Sequence, residues 1–307
     1  MARPGKAWLN ALVGRLTVAM LRTLRLVDRR RVAPGAAWLS RRIGPLLKEH
    51  RLGRAQLAAA FPEKSADEIE RILAGVWDNL GRVAAEFAHM DRFRVEDPQQ
   101  PGPADIVYDE ATLERFYRLR EDGKPALIFT AHLANWELPA VVAAAHGLDA
   151  ISVYRRPNIP AVADAVLAIR AGSMGTLMAT SLDAPVKLAD ALTRGRHVGM
   201  LVDQYAVRGV PVTFFGRPTR ANPLLARLAR HIDCPIHGVR MIRLPDGHRF
   251  RAELTEAIAP ARDAGGDIDV TGTMQAITAV VEGWVREYPE QWLWLHRRWR
   301  PEDERAA

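Results

Sequence analysis

A histidine and a glutamate follow a short apolar segment near the middle of the chain. The segment PALIFTA (residues 125–131) leads into His132, and Glu137 comes five residues later. On a continuous helix, five residues correspond to about 140° of rotation, so the two side chains would not face each other. In a strand-to-helix turn, Glu137 could reach back to His132. The pair could be a catalytic base with its orienting carboxylate, two metal ligands, or an ordinary helix start.

The motifs of several enzyme classes are missing around this pair. The sequence has no H-E-x-x-H, no G-x-S-x-G, no Walker loop and no G-x-G-x-x-G. A carboxylate behind an imidazole fixes its tautomer and stabilises the imidazolium. Since no serine or cysteine nucleophile is obvious, such a base would activate a hydroxyl of the substrate. The spacing alone leaves this interpretation and a structural helix start both open.

Short apolar segments alternate with helical patterns in the second half of the chain. Strands are predicted at 125–131, 150–155, 197–203, 235–244 and 249–258, and helices near 136–146, 160–171, 184–194 and 222–232. This alternation predicts an α/β fold, a mixed central sheet flanked by helices. Ligands of such sheets bind at the carboxyl ends of the strands, where His132, Arg155, Arg156 and Asp203 are expected.

The first third of the chain has a different pattern. Residues 35–95 carry apolar side chains at three-and-four spacing, and Ser65 with Glu68 forms a capping box. The proline-rich segment 96–105 marks a joint. We therefore predict an amphipathic helix over 1–30, a helical region over 31–105 and an α/β domain over 106–307, with 31–307 as one compact domain if the two pack together.

Positive charge is concentrated at the amino-terminal end. Residues 1–54 contain 13 Lys and Arg against two acids, a balance of +11 in a chain of net charge +7. This pattern indicates an anionic partner, such as phospholipid headgroups, nucleic acid or an acidic protein. No nucleic-acid-binding module is recognisable, so nucleic acid is not expected.

The pattern of segment 7–27 predicts an amphipathic helix at the membrane surface. Leu9, Val13, Leu16, Met20, Leu24 and Val27 form one apolar stripe at 100° per residue, and Arg15 and Arg22 lie on the opposite side. Because an arginine at the bilayer centre is costly, a helix lying in the interface is favoured over a spanning one. A soluble core helix is the alternative.

The cysteine content excludes disulfide bonds within the chain and cysteine-rich metal sites. Cys234 is the single cysteine, which excludes an intramolecular disulfide and any zinc site built mainly from cysteines. Cys234 precedes Pro235 in an apolar run and is predicted to belong to the core.

The whole chain resembles the bacterial lipid A biosynthesis acyltransferase family, the late lauroyl and myristoyl transferases, within the glycerolipid acyltransferase superfamily. Several segments carry the resemblance in the family's order: 58–86, HLANWE (132–137), YRRPN (154–158), LVDQ (201–204), VPVTFFGRPTRA (210–221) and YPEQWLWLHRRWRP (288–301). The fold that it implies agrees with the predicted α/β domain.

The resemblance implies roles for several residues. His132 would be the general base and Glu137 would orient it. Arg155 and Arg156 match a phosphate-contacting block, and Arg170 is a weaker candidate of the same kind. Asp203 and Gln204 would lie in the acceptor site. Phe214, Phe215 and Gly216 would wall an acyl tunnel or pack in the core, with Arg217 and Arg220 adding positive charge nearby. The oxyanion donors would be backbone N–H groups after His132, or an arginine.

The resemblance also implies the reactants and the location. The donor would be a thioester of acyl carrier protein, an acidic partner, or of coenzyme A, and the acceptor a glycolipid hydroxyl of a lipid A precursor. No metal or tightly bound cofactor is implied. The protein would act at the cytoplasmic face of the inner membrane, bound peripherally or by one amino-terminal helix. Another glycolipid or lysophospholipid acceptor, and a non-enzymatic membrane binder, are the alternatives.

Four of the eight tryptophans lie near the carboxyl end. Trp284, Trp292, Trp294 and Trp299 stand beside His296, Arg297, Arg298 and Arg300. Tryptophan with arginine is typical of a membrane interface, and packing of a last helix explains the tryptophans equally well.

Overall fold

A seven-stranded, mostly parallel sheet forms the centre of the computed structural model, which describes residues 4–100 and 102–304. The strands lie in the order β1-β9-β8-β2-β5-β3-β4. They are β1 (Ile106–Val107), β2 (Leu127–Thr130), β3 (Ala150–Tyr154), β4 (Thr176–Ala179), β5 (His197–Leu201), β8 (Ile236–Arg243) and β9 (Phe250–Leu254). A separate antiparallel hairpin consists of β6 (Val210–Phe214) and β7 (Arg217–Ala221).

Helices cover the sheet, and four of them precede its first strand in the chain. They are α1 (Pro4–Leu24), α2 (Arg29–Ile43), α3 (Lys48–Ala60), α4 (Ala66–Phe87), α5 (Glu110–Glu121), α6 (Leu138–Ala145), α7 (Pro160–Ala171), α8 (Ala184–Thr193), α9 (Leu224–Ile232), α10 (Val270–Glu287) and α11 (Pro301–Glu304). The predicted α/β class with an amino-terminal helical region is confirmed.

The strand register brings the site residues to one edge. Strand β2 pairs in parallel with β5 on one side and β8 on the other, and Thr130 lies opposite Leu201. The residues that follow β2 and β5 are therefore neighbours, because parallel strands end at the same edge. The antiparallel pairing of β8 with β9 makes the sheet mixed.

The two faces of β2 differ. Leu127 and Phe129 are fully buried on one face. Ile128 and Thr130 point to the other face, where a cavity lies. This alternation follows from the two-residue period of a strand.

Helices α3 and α4 share a core with the sheet. Leu57 and Leu73 belong to the same buried cluster as Leu127 and Phe129. The capping box of Ser65 and Glu68 is present at the start of α4. Gly81 of α4 lies against the backbone of Ala36 in α2, where a Cβ atom would be 2.5 Å from the carbonyl oxygen. Close helix contact at this point therefore depends on the missing side chain.

The carboxyl-terminal segment 289–300, called here the C-terminal strap, lies against the turn after β2, where Trp292 forms an antiparallel bridge with Leu133. Trp292, Trp294 and Trp299 are buried, and Trp284 of α10 stacks on Phe129. These tryptophans therefore pack in the interior rather than at a membrane interface. Cys234 is buried in the core, as predicted.

Helix α1 exposes most of the predicted apolar stripe. Leu16 and Met20 are 61% and 52% exposed, and Val13 is also exposed. A neighbouring face, with Gly14 and Leu21 buried, packs on α7. Residues 1–3 and the side chain of Leu9 lie outside the described residues. In the described parts of the chain, no helix combines the length and apolarity needed to cross a bilayer.

Candidate active site

The turn after β2 is held in an unusual backbone conformation. Ala134 has φ 47°, in the left-handed region that is unfavourable for a residue with a Cβ atom. Its N–H donates to the Gln291 carbonyl at 2.8 Å, and its own carbonyl accepts from Asn79 Nδ2 at 3.0 Å. Leu293 N–H of the C-terminal strap donates to the His132 carbonyl at 3.1 Å. Helix α4 and the strap therefore fix the backbone on which His132 stands.

A buried ion pair supports the same turn from behind. Glu86 is fully buried, and Arg243 donates to both of its carboxylate oxygens. Asn135 Nδ2 donates to Glu86 Oε2 at 2.9 Å, and Arg243 Nε donates to Asn79 Oδ1. Removing one partner of such a pair leaves an uncompensated buried charge, which typically costs about 3–5 kcal/mol. The turn is thus joined to α4 and β8 by charged groups.

His132 and Asp203 form a dyad at the carboxyl edge of the sheet. His132 Nδ1–H donates to Asp203 Oδ1 at 2.7 Å, and the backbone N–H of His132 donates to Asp203 Oδ2 at 2.8 Å. Both side chains are buried. With its proton on Nδ1, the imidazole presents the lone pair of Nε2 to a substrate. Trp136 lies beside it, with ring centroids 5.2 Å apart.

The Asp203 carboxylate is strongly held as an anion. Burial alone would raise its pKa, but the charge of His132, the two hydrogen bonds from His132 and one from Trp292 Nε1 at 2.8 Å keep the pKa well below its usual range. The carboxylate therefore stays ionised at neutral pH and stabilises a protonated His132.

The prediction that Glu137 orients His132 is wrong, because Glu137 binds another side chain. Glu137 is engaged by Arg170, whose Nε and Nη2 donate to its two carboxylate oxygens at 2.9 and 2.6 Å. The chain turns at Ala134, and this directs Glu137 toward α7 rather than back to the imidazole. Asp203, predicted as an acceptor-site residue, is the carboxylate that the fold brings to Nδ1.

Gln204 lies on the open side of His132. Its amide nitrogen is 3.2 Å from His132 Nε2. A side-chain amide nitrogen only donates, so Nε2 is the acceptor, in agreement with a proton on Nδ1. Gln204, predicted as an acceptor-site residue, therefore contacts the imidazole of His132 directly.

A cavity of about 700 Å³ opens beside the dyad. Its inner wall is apolar and rich in small side chains from the sheet and from α5 and α6: Phe116, Leu119, Ile128, Ala140, Ala143, Ala150, Gly199, Ala252 and Leu254. Its mouth carries polar groups: His132, Glu137, Arg155, Arg170, Gln204 and Asn222. This volume lies within the range of about 300–1,000 Å³ typical of ligand sites.

The predicted arginines differ in their placement. Arg170 is mostly buried, with its guanidinium 5.4 Å from the Tyr154 ring centroid and 5.6 Å from that of Phe87. Arg155 is exposed at the cavity mouth. Arg156 is exposed and pairs with Asp164 at 3.1 Å. The structure therefore brings Arg155 and Arg170 to the site and leaves Arg156 in an ion pair on the surface.

The FFG segment lies away from the cavity. Phe214 packs between Trp292 and Trp299 in the core, and neither Phe214 nor Phe215 is among the described residues that line the cavity. Phe215 and Gly216 have φ 53° and 68° and form the two-residue turn between β6 and β7. The tunnel-wall prediction for these three residues is thus replaced by a packing and turn role, because the cavity lies on the other face of the sheet.

The two arginines of the hairpin are also engaged elsewhere. Arg217 lies over the Trp299 ring at 5.3 Å, and Arg220 pairs with Asp303 at 2.8 Å.

Trp292 is a residue at the site that sequence reasoning missed. Its indole N–H supports Asp203 although the two residues are 89 positions apart. The available signal was the position of Trp292 inside one of the family-like segments, but nothing local separated it from the neighbouring tryptophans.

The arrangement suits proton transfer without a nucleophile from the protein. An ionised carboxylate behind a neutral imidazole makes a general base, and the adjoining cavity is apolar enough for a hydrocarbon chain. Among residues 4–100 and 102–304, no three His, Cys, Asp or Glu side chains group as metal ligands.

Comparison with known proteins shows the family of the chain. The model of a family described as bacterial lipid A biosynthesis acyltransferase matches residues 6–301, nearly the whole chain. No curated protein matches the chain significantly.

Proposed function

The chain belongs to the bacterial lipid A biosynthesis acyltransferase family, and on that premise we propose that it moves a fatty acyl chain from a thioester to a hydroxyl of a lipid A precursor. One observation carries this proposal. The His132–Asp203 dyad presents Nε2 at the mouth of an apolar cavity of about 700 Å³. The base, the space for the chain and the entrance are therefore contiguous.

His132 acts twice in the reaction, first as a base and then as an acid. Nε2 takes the proton of the acceptor hydroxyl while its oxygen attacks the thioester carbonyl carbon, and the carbonyl electrons move onto oxygen. When the tetrahedral intermediate collapses, a C–O ester bond has formed and the C–S bond breaks. His132 then returns the proton to the leaving thiolate. Asp203 stabilises the imidazolium between these two steps.

The inner part of the cavity is suited to the acyl chain. Leu119, Leu148 and Leu254 form a buried cluster toward the far end of the cavity. Each methylene removed from water into such surroundings gains about 0.8 kcal/mol. The acyl chain extends along the face of the sheet, and its thioester carbonyl remains near His132.

The polar mouth is suited to an anionic substrate. Arg155 is exposed there, and Arg170 is fixed by Glu137 and two aromatic rings. A guanidinium binds phosphate in a bidentate manner, so Arg155 would bind a phosphorylated sugar or the phosphopantetheine arm of the donor, with Arg170 behind it held by Glu137. Acyl carrier protein or coenzyme A would supply the thioester, and no bound cofactor takes part.

The location that we propose is the cytoplasmic surface of the inner membrane. The exposed apolar side chains of α1 and the basic residues of the first 54 positions support interfacial binding. A glycolipid acceptor would reach the site from that surface.

The proposal predicts a specific loss in a His132→Ala variant. Without the base, transfer of labelled acyl chains to a lipid A precursor should fall by about 10²–10⁴-fold. The assay compares acyl carrier protein with coenzyme A donors, and lysophospholipid acceptors with glycolipid acceptors. His231→Ala, at an exposed histidine of α9, is the matched control and should keep full activity.

Mass spectrometry provides the test in cells. Lipid A from cells with and without the protein should differ by one acyl chain, and His132→Ala should not restore the chain. An unchanged acylation pattern would contradict the proposed acceptor. Transfer that survives in His132→Ala would contradict the mechanism.

A further inference from the structure

The lone pair of the catalytic base is already occupied. Gln204 Nε2 lies 3.2 Å from His132 Nε2, and the proton of the imidazole is on Nδ1, bonded to Asp203 at 2.7 Å. An acceptor hydroxyl must come within about 2.6–3.2 Å of the same lone pair to give up its proton. Gln204 must therefore leave this position before each turnover.

The surroundings of Gln204 permit that movement. Its side chain is exposed at the cavity mouth, in the connection between β5 and β6. The preceding residue, Asp203, is fixed by His132 and Trp292. The backbone at Gln204 is thus anchored on one side while its amide is free to rotate, so a change of partner needs only side-chain torsions.

Several of the donors nominated for the oxyanion are occupied. After His132, Leu133 N–H donates to the Ala131 carbonyl and Ala134 N–H donates to the Gln291 carbonyl. Glu137 N–H donates to Asn135 Oδ1 at 3.3 Å. Arg170 is held by Glu137 through both nitrogens that face it. The Gln204 amide, by contrast, loses its partner when the acceptor binds.

We propose that Gln204 is a catalytic residue that exchanges partners: its amide caps His132 Nε2 in the empty site and donates to the thioester oxyanion during transfer. The inference rests on the proposed acyl transfer. The attacking oxygen takes the place of the amide nitrogen and bonds to the carbonyl carbon. The carbonyl oxygen is attached to that same carbon, so it lies within reach of the displaced N–H groups.

The exchange couples protection of the base to catalysis. As the C–O bond forms, the carbonyl electrons move onto oxygen, and the Gln204 N–H groups stabilise the negative charge there. When the C–S bond breaks, the charge passes to sulfur, which takes the proton from His132. The amide then returns to Nε2 as the ester product leaves.

Gln204→Ala and Gln204→Glu test the proposal. Steady-state transfer from a labelled acyl thioester is measured at neutral pH, with folding checked by near-UV circular dichroism. Loss of one oxyanion donor typically lowers kcat by about 10²–10³-fold. We expect a fall of that size in both variants with little change in KM, since a glutamate side chain retains the size of glutamine but lacks its N–H donor. Val207→Ala, exposed in the same connection, is the control and should match the wild type.

Each outcome decides between distinct alternatives. If kcat of either variant equals or exceeds that of the wild type, Gln204 only covers the base and the proposal is overturned. A rise in KM at constant kcat would likewise overturn it, since it would show ground-state binding alone. If the wild type itself transfers no acyl chain, the proposed function fails, and that result is separate from the behaviour of Gln204.

Discussion

The orienting carboxylate at His132 comes from a distant part of the chain. Asp203 follows β5, and the parallel pairing of β2 with β5 places it beside a histidine 71 positions earlier. Glu137, close in sequence, is taken by Arg170. The two carboxylates therefore have different partners: Asp203 holds the His132 imidazole, and Glu137 fixes an arginine at the cavity mouth.

Substitution of Asp203 by asparagine tests this division. Asparagine retains the shape of the side chain but cannot stabilise the imidazolium, so kcat should fall by about 10²–10⁴-fold. Glu137→Gln is the matched variant, because it removes the same charge from the other carboxylate. Glu137→Gln should leave the pH dependence of kcat unchanged and act on KM through Arg170. A shift of the acidic limb of the pH profile in Glu137→Gln would contradict the assignment.

The Asp203→Asn variant also has a pH-dependent effect on stability. The folded-state pKa of Asp203 is below its ordinary value of 3.8, so the carboxylate contributes stability that is fully present above that value. This contribution is lost as the pH falls from there through the lower folded-state pKa. Urea unfolding should therefore show a larger gap between wild type and Asp203→Asn at neutral pH than at about pH 3.

At the scale of elements, the turn 131–137 depends on supports outside the α/β sheet. Helix α4 supplies Asn79 and Glu86, and the C-terminal strap supplies the carbonyl of Gln291. Both elements hold the left-handed residue Ala134 in place. Packing of α2 against α4 therefore helps to fix the position of His132. None of the described residues of α2 lines the cavity.

The helix contact at Gly81 provides a test of this packing. Gly81→Ala would place a Cβ atom 2.5 Å from the Ala36 carbonyl oxygen, so α2 must move. Overpacking of this kind should lower the free energy of unfolding by about 1–3 kcal/mol. Gly35→Ala, in α2 with nothing within 4 Å of the added atom, is the control. It should be neutral or stabilising by up to about 1 kcal/mol, since alanine favours helix. Equal stability of the two variants in urea would contradict the close contact.

At the scale of the whole molecule, the apolar face of α1 is directed outward while its neighbouring face packs on α7. A soluble core helix would bury the stripe that contains Leu16 and Met20. Together with the basic residues of the first 54 positions, this surface favours binding to an anionic bilayer.

Vesicle sedimentation can measure this binding. Leu16→Glu should weaken association with anionic vesicles more than Ala11→Glu, which adds the same charge to an exposed position about 140° around α1. Both variants lose about 1 kcal/mol of electrostatic attraction. Only Leu16→Glu also loses burial of a leucine, about 1.5–3 kcal/mol, so it should bind at least about tenfold more weakly. Equal partitioning of the two variants would exclude an interfacial role for this face.

Local patterns in the sequence were sufficient to predict the helices and strands and the position of His132. Strand and helix periods predicted the α/β class, because the alternation of apolar residues depends on neighbouring positions only. The capping box at Ser65 and the placement of His132 at the end of β2 follow from the same local chemistry. The spacing of apolar residues also predicted the apolar stripe of α1.

Only the tertiary structure decided which groups meet. The pairing of β2 with β5 selected Asp203 over Glu137, and the strap brought Trp292 to Asp203 from 89 positions away. It also placed Phe214 in the core instead of the cavity wall. Contacts of this kind depend on strand order and on the path of the chain over the sheet. A residue's type and its spacing to near neighbours do not carry that information, so the position of His132 after β2 was predictable and its hydrogen-bond partners were not.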